Sequence, residues 1–339
     1  MSRHITASMV SRRTTLSVLA GGISAAVAGC TSTLPFVGGD DDEYADWLGP
    51  NLEQLPAELG YSEQTAFVAT KPADVVDNEH LDEQLVERWG EEMTPMGGDV
   101  VDPGLHPAEV EFRMSDMYAT WDIAVGSFSF DEDDISDPID HQDQYAGFDV
   151  YVTDGADVSH GLPDAPSELD SHFEAGVAFD GGRLLVVYAV EDVEATLEGM
   201  IDVYDGTADR YVETDDDAAT AVDEVGSGTY VQGDLSRPEP LLQRLDVDGE
   251  MTSVSALSFV DDAETADSLV PSDDELEELR EEAEDDFFDR RQPSEVFAPY
   301  DEVSVDAGDR YLLVTGELPT EEVQLMDTDV IDYVASQSG

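Results

Sequence analysis

Acidic side chains outnumber basic ones by 81 to 14 in this chain of 339 residues, giving a formal net charge of −67, and beyond residue 29 they run through every segment instead of gathering in a tail. A compact state with this charge repels itself in dilute buffer. At molar salt the Debye length falls to ~3 Å and most of that repulsion is screened. The chain is therefore expected to fold where salt is high. Hydrophobic residues still make up 41%, with 12 Phe, 12 Tyr and 3 Trp, so a sizeable core is available and wholesale disorder is not expected. The charge also excludes functions. Phosphate affinity needs clustered Lys and Arg, yet there is one lysine, Lys71, and outside residues 1–29 the only basic pair is Arg290–Arg291. No nucleic-acid partner is expected, and the polybasic route to anionic membranes is closed in the same way.

Cysteine usage points elsewhere. The chain has one cysteine, Cys30, so no disulfide can form within it. Residues 1–29 hold Arg3, Arg12 and Arg13 and no acid, which leaves the remainder at −70. The order is a basic stretch, a weakly apolar run from Leu16 to Ala28, and small residues before the cysteine, which is the layout of a cleaved signal peptide. The run contains Ser17, Gly21, Gly22 and Ser24 and is shorter than the ~20 apolar residues a spanning helix needs. Ser11-Arg12-Arg13 resembles a twin-arginine export signal, with Thr15 where an aromatic is usual and Leu16 fitting the pattern. Val27-Ala28-Gly29-Cys30 resembles a lipobox, in which cleavage after Gly29 leaves Cys30 to carry a covalent lipid. Met9 stands close before the arginines as a second candidate start. With the pervasive acidity, these motifs make the chain similar to the twin-arginine-exported lipoproteins of haloarchaea. That resemblance implies a protein anchored to membrane lipid through Cys30 on the extracytoplasmic face, with the twin-arginine translocase as its partner during export. It lends no activity.

Behind the cysteine, residues 30–43 read as a flexible acidic tether with Pro35 and Gly38-Gly39, reaching at most about 45 Å. The body is expected from Tyr44, as an α+β domain over residues 44–225 and a second α+β half over 226–339. Strands are expected at 65–70, 110–114, 121–130 and 148–152, with helices over 78–89 and from Asp131. This order suggests a ferredoxin-like arrangement. Residues 173–179 and 183–190, joined by Asp180-Gly181-Gly182, give the clearest hairpin. Helices follow over 192–204 and 215–225, then a strand at 229–233, a short helix at 241–245 and a strand at 253–260. Ser272 with Glu275 forms a capping box opening a helix that ends before Pro293. Strands at 303–305, 310–315 and 330–334 complete the set. RLLVVYAVEDVEATL (183–197) echoes RYLLVTGELPTEEVQL (310–325), and Gly126, Gly233 and Gly316 each end a β-rich run. Duplication of two ferredoxin-like halves accounts for this, against chance recurrence in a chain rich in Val, Gly, Asp and Glu. The fold class expected is α+β, mostly antiparallel, with helices packed on one face.

Chemistry-bearing motifs are sparse. The chain has no G-x-S-x-G, H-E-x-x-H, P-loop, G-x-G-x-x-G or C-x-x-C. Asp202, Asp205 and Glu213 loosely suggest a calcium loop, but Gly206 stands one place early and Tyr204 holds the third position. His141, His160 and His172 lie in loop-rich sequence without a helical ligand spacing. No catalytic residue, metal site or cofactor beyond the lipid is assigned. Neither Asn51 nor Asn78 stands in a glycosylation triplet. The expected role is binding or structural. A surface hydrolase or a solute-binding lipoprotein serving a transporter are the alternatives, the latter weakened because such proteins repeat β-α-β units whereas these strands pair as neighbours.

Overall fold

Ala66–Thr70 (β1) and Tyr230–Asp234 (β8) lie side by side, antiparallel, at the centre of one twelve-stranded sheet. The computed structural model describes residues 43–49, 66–81, 86, 101, 105–116, 121–127, 130, 134–135, 139–153, 174–189, 192–235, 240–272, 276 and 302–323. The chain divides at Gly39 into two units, and every described residue belongs to the second. The other strands are β2 (Val110–Asp116), β3 (Trp121–Gly126), β4 (Ile139–Tyr145), β5 (Phe148–Thr153), β6 (Glu174–Phe179), β7 (Arg183–Ala189), β9 (Leu241–Asp248), β10 (Met251–Phe259), β11 (Glu302–Ala307) and β12 (Tyr311–Pro319). The helices are α1 (Pro72–Val76), α2 (Val193–Tyr204), α3 (Tyr211–Thr214), α4 (Asp216–Val225) and α5 (Ala263–Leu269). The protein is thus mixed α+β, with few helices and an antiparallel sheet.

The strand order is β11-β12-β10-β9-β8-β1-β2-β3-β7-β6-β5-β4. From the central pair outwards, β1-β2-β3-β7-β6 and β8-β9-β10-β12-β11 are laid out alike. The registers agree position by position. In the central pair, Phe67 faces Gly233 and Ala69 faces Val231, symmetric about Val68 and Gln232. Ala69–Met114–Ile123–Leu185–Ala178 on one side matches Gly233–Leu242–Leu257–Leu313–Asp306 on the other. β5 and β4 extend the first side only. β1 pairs directly with β2, whereas a ferredoxin-like split β-α-β leaves room for another strand between them.

Period-two alternation makes both faces of the sheet apolar. In β7, Leu185 and Val187 point to one face and Leu184, Val186 and Tyr188 to the other, and all five are buried. Both faces therefore need cover. α2 and α4 lie on the first, where Leu197, Met200 and Ile201 meet Leu185 and Val187, and Ala221 and Val225 meet Leu242 and Leu257. Val75 of α1 and Ala266 of α5 pack on the second, with Leu245, Val254 and Leu312. This corrects the expectation of helices on one face.

The first described turn is drawn deep into the core. Glu43–Trp47 forms a 3₁₀ turn in which Tyr44, Trp47 and Leu48 are buried. Tyr44 stacks on Phe67 at 5.6 Å and its hydroxyl donates to the Gly226 carbonyl (3.3 Å). Trp47 stacks on Tyr204 at 4.0 Å, and Arg210 pairs with Asp46 at 3.0 Å. Burial pushes the Asp46 carboxyl above its ordinary value, against the pull of the Arg210 guanidinium.

Two further expectations are corrected. Residues 241–245 are not a short helix but the start of β9, held between β8 and β10 and turned by Gly249 at φ 67°. His141 is not in a loop: residues 139–145, too polar to read as a strand, form the edge strand β4 by pairing with β5. Most of 78–89, 272–290 and all of 330–334 lie outside the described residues, although the Leu276 N–H donates to the Ser272 carbonyl (2.9 Å), as the first turn of a helix there requires.

Candidate functional site

The strands β9, β10, β12 and β11 present a polar floor on the sheet's first face, beside α4. Side chains at alternate positions converge there because the pleat sends every second residue to the same side. Arg244, Ser255, Thr315 and Ser304 form one cross-strand row, and Asp246, Ser253, Glu317 and Glu302 the next. Arg244, Ser255, Thr315 and Ser304 of the first row and Ser253 and Glu317 of the second, together with Gly316, line an open trough of about 330 Å³. Arg244 anchors one end. Its Nη1 donates to the Val225 carbonyl (3.2 Å), and its Nη2 donates to the Ser253 hydroxyl (2.9 Å) and to Asp246 (3.2 Å). The Ser304 and Thr315 hydroxyls share a hydrogen bond of 2.8 Å at the other end. Ser255 is buried in the floor, and Glu317 stands exposed at the rim.

Arrayed hydroxyls can both donate and accept, the guanidinium only donates, and the carboxylates only accept. The trough thus offers every kind of hydrogen-bonding partner on one rigid surface. Its lining holds no histidine or cysteine. A second, wider depression of about 360 Å³ is lined by Asp74, Asp77, Asn78, Glu79 and His80. There the His80 ring lies 4.0 Å from Glu79 and its backbone N–H donates to Asn78 Oδ1 (2.8 Å).

Arg12, Arg13, Gly29 and Cys30, the residues expected to serve export and lipidation, lie outside the described residues, as do His160 and His172. Two of the three carboxylates of the loose calcium pattern, Asp202 and Glu213, are engaged by the fold instead. Asp202 accepts from the Tyr145 hydroxyl (2.8 Å), and that bond holds the tyrosine's pKa above its usual range. Glu213 accepts the Arg210 backbone N–H (2.9 Å) at the start of α3. Among the described residues, no three His, Cys, Asp or Glu side chains converge as a metal would require. No described helix is long and apolar enough to cross a membrane.

Sequence reading did not single out the trough residues. Their signal was present but inverted. Ser253 and Ser255, two apart in a strand, look like a solvated face, and nothing local shows that Arg244 and Thr315 join them from other strands.

No family model matches the chain, and no curated protein matches it. Among solved structures, crystal form I of TP0453 is similar over 85% of this chain and 100% of that one, at 10% identity and a TM-score of 0.33, too low a score to carry any argument.

Proposed function

We propose that this is a lipid-anchored, extracytoplasmic binding protein of a halophilic archaeon, exported by the twin-arginine pathway and held to the membrane by a covalent lipid on Cys30. The observation that carries the reading is the order of residues 11–30: paired Arg12 and Arg13, a short weakly apolar run, then Gly29 and the sole cysteine. One acyl chain binds a bilayer only marginally, so a two-chain lipid suits a stable anchor. The binding role draws support from the trough, whose preformed polar floor needs no disulfide to hold it.

The two strand sets are read here as duplicated halves. Their matched registers about Val68 and Gln232 support this, as does the echo between 183–197 and 310–325, because β7 and β12 occupy matching places in the sheet. The order within each half departs from the ferredoxin-like one.

Intact-protein mass spectrometry of the membrane fraction tests the anchor. The mature protein should begin at Cys30 and carry a lipid-sized extra mass, and Cys30→Ala should lose that mass and release the protein. Arg12→Lys with Arg13→Lys should block export. An unmodified Cys30 in soluble protein would refute the anchor, and unchanged secretion of the double lysine variant would refute the route.

A further inference from the structure

In the first side of the sheet, the places that correspond to the trough floor are filled by a helix. Gly176, Ala178, Leu185 and Val187 of the β6–β7 hairpin form the seat of α2: a Cβ on Gly176 would lie 2.6 Å from Leu197 and 3.0 Å from Val193. By register, Ser304, Asp306, Leu313 and Thr315 of the β11–β12 hairpin stand in those four places. Trp121, opposite Val187, corresponds to Ser255, opposite Thr315. The same framework thus carries an apolar helix seat on one side and, on the other, three hydroxyls and a carboxylate around a single leucine.

From this replacement we infer that the trough binds a neutral saccharide. An apolar ligand would cover the Ser255 hydroxyl, and the capacity that the Ser304–Thr315 bond leaves open, without offering a hydrogen bond in return. An anion would meet Glu317 in a protein of net charge −67, where the Arg244 guanidinium is already turned to Asp246 and Ser253. A sugar hydroxyl both donates and accepts, so it satisfies serine and threonine hydroxyls, the guanidinium and the carboxylates alike. The trough's about 330 Å³ stands at the small end of the ~300–1,000 Å³ range of ligand pockets, as a small sugar requires. The inference names the ligand class of the proposed binding role and is independent of the lipid.

The test is saturation-transfer NMR at molar salt on the Cys30→Ala protein, with maltose, lactose, cellobiose and N,N′-diacetylchitobiose as neutral probes and glucuronate as the anionic one. At least one neutral disaccharide should receive saturation at its ring protons. Ser255→Ala combined with Thr315→Val, which restores the valine found at position 187, should weaken binding about tenfold, as two lost hydrogen bonds imply, with an unchanged circular dichroism spectrum. Transfer to none of the four neutral sugars, transfer insensitive to the double substitution, or equal transfer to glucuronate would each overturn the inference. A failed anchor appears in the membrane-fraction mass and leaves these spectra unchanged, so the two failures are told apart.

Discussion

At the scale of the residue, the described arginines are each matched to an acid, at depths from the sheet interior (Arg113) to the surface (Arg310). Among the described residues Arg113, Arg183, Arg210, Arg244 and Arg310 each pair with an aspartate: Asp122, Asp180, Asp46, Asp246 and Asp217. The most buried of these pairs lies on the sheet's second face, where Arg113 Nε and Nη2 grip the Asp122 carboxylate at 3.0 and 2.8 Å. Two charges taken out of water cost several kcal/mol each, and their attraction offsets this only while both are present. Asp122→Ala should therefore destabilise the fold by about 3–5 kcal/mol, because it takes a two-point carboxylate partner from a buried guanidinium. Arg113→Met with Asp122→Leu should fall well short of that loss. Urea titration at fixed molar salt separates the two, and equal losses would show that the pair itself, not the guanidinium left behind, matters. Neither partner was legible as a site: Arg113 and Asp122 sit in strands read as ordinary alternation, and only the pairing of β2 with β3 brings them together.

At the scale of the element, hairpins with glycine turns were readable and isolated polar strands were not. The β6–β7 hairpin announces itself through RLLVVYA and Gly181-Gly182, where Gly181 takes φ 80°. β4 has no such signal, because its IDHQDQY sequence offers no apolar period and its structure comes from backbone bonds to β5. β9 was ambiguous for the opposite reason: LLQRL fits a helical face or a strand, and only its neighbours β8 and β10 settle the choice. The two matching hairpins also predict opposite responses to one change. Gly176→Val should overpack α2 and cost about 1–3 kcal/mol. Ser304→Val, at the matching place in β11, should stay within about 0.5 kcal/mol because no described helix lies over it. Thermal melts of both variants in the same buffer check the contrast, and equal losses would refute the correspondence between the hairpins.

At the scale of the whole molecule, charge sets the condition for folding. With a net charge of −67 and five described arginines already paired with aspartates, carboxylates dominate the charge of the molecule. Their repulsion weakens as the Debye length shortens. Dialysis from molar salt into dilute buffer should unfold the protein, seen as loss of its circular dichroism signal, and re-addition of salt should recover it. An unchanged spectrum in dilute buffer would sink the reading of an obligate high-salt fold.

The pattern of residues 11–30 and the excess of carboxylates were determined by the sequence alone, since a local motif and a net charge depend on residues close together or simply counted. The mixed α+β class was legible for the same reason, through local periodicity. Only the tertiary structure decided that β1 meets β8, that both faces of the sheet need cover, and that Arg244, Ser255, Thr315 and Ser304 form one row. Those residues lie on four strands, and their meeting depends on register. Register is fixed by burying both faces of the sheet at once, which no local stretch of sequence records.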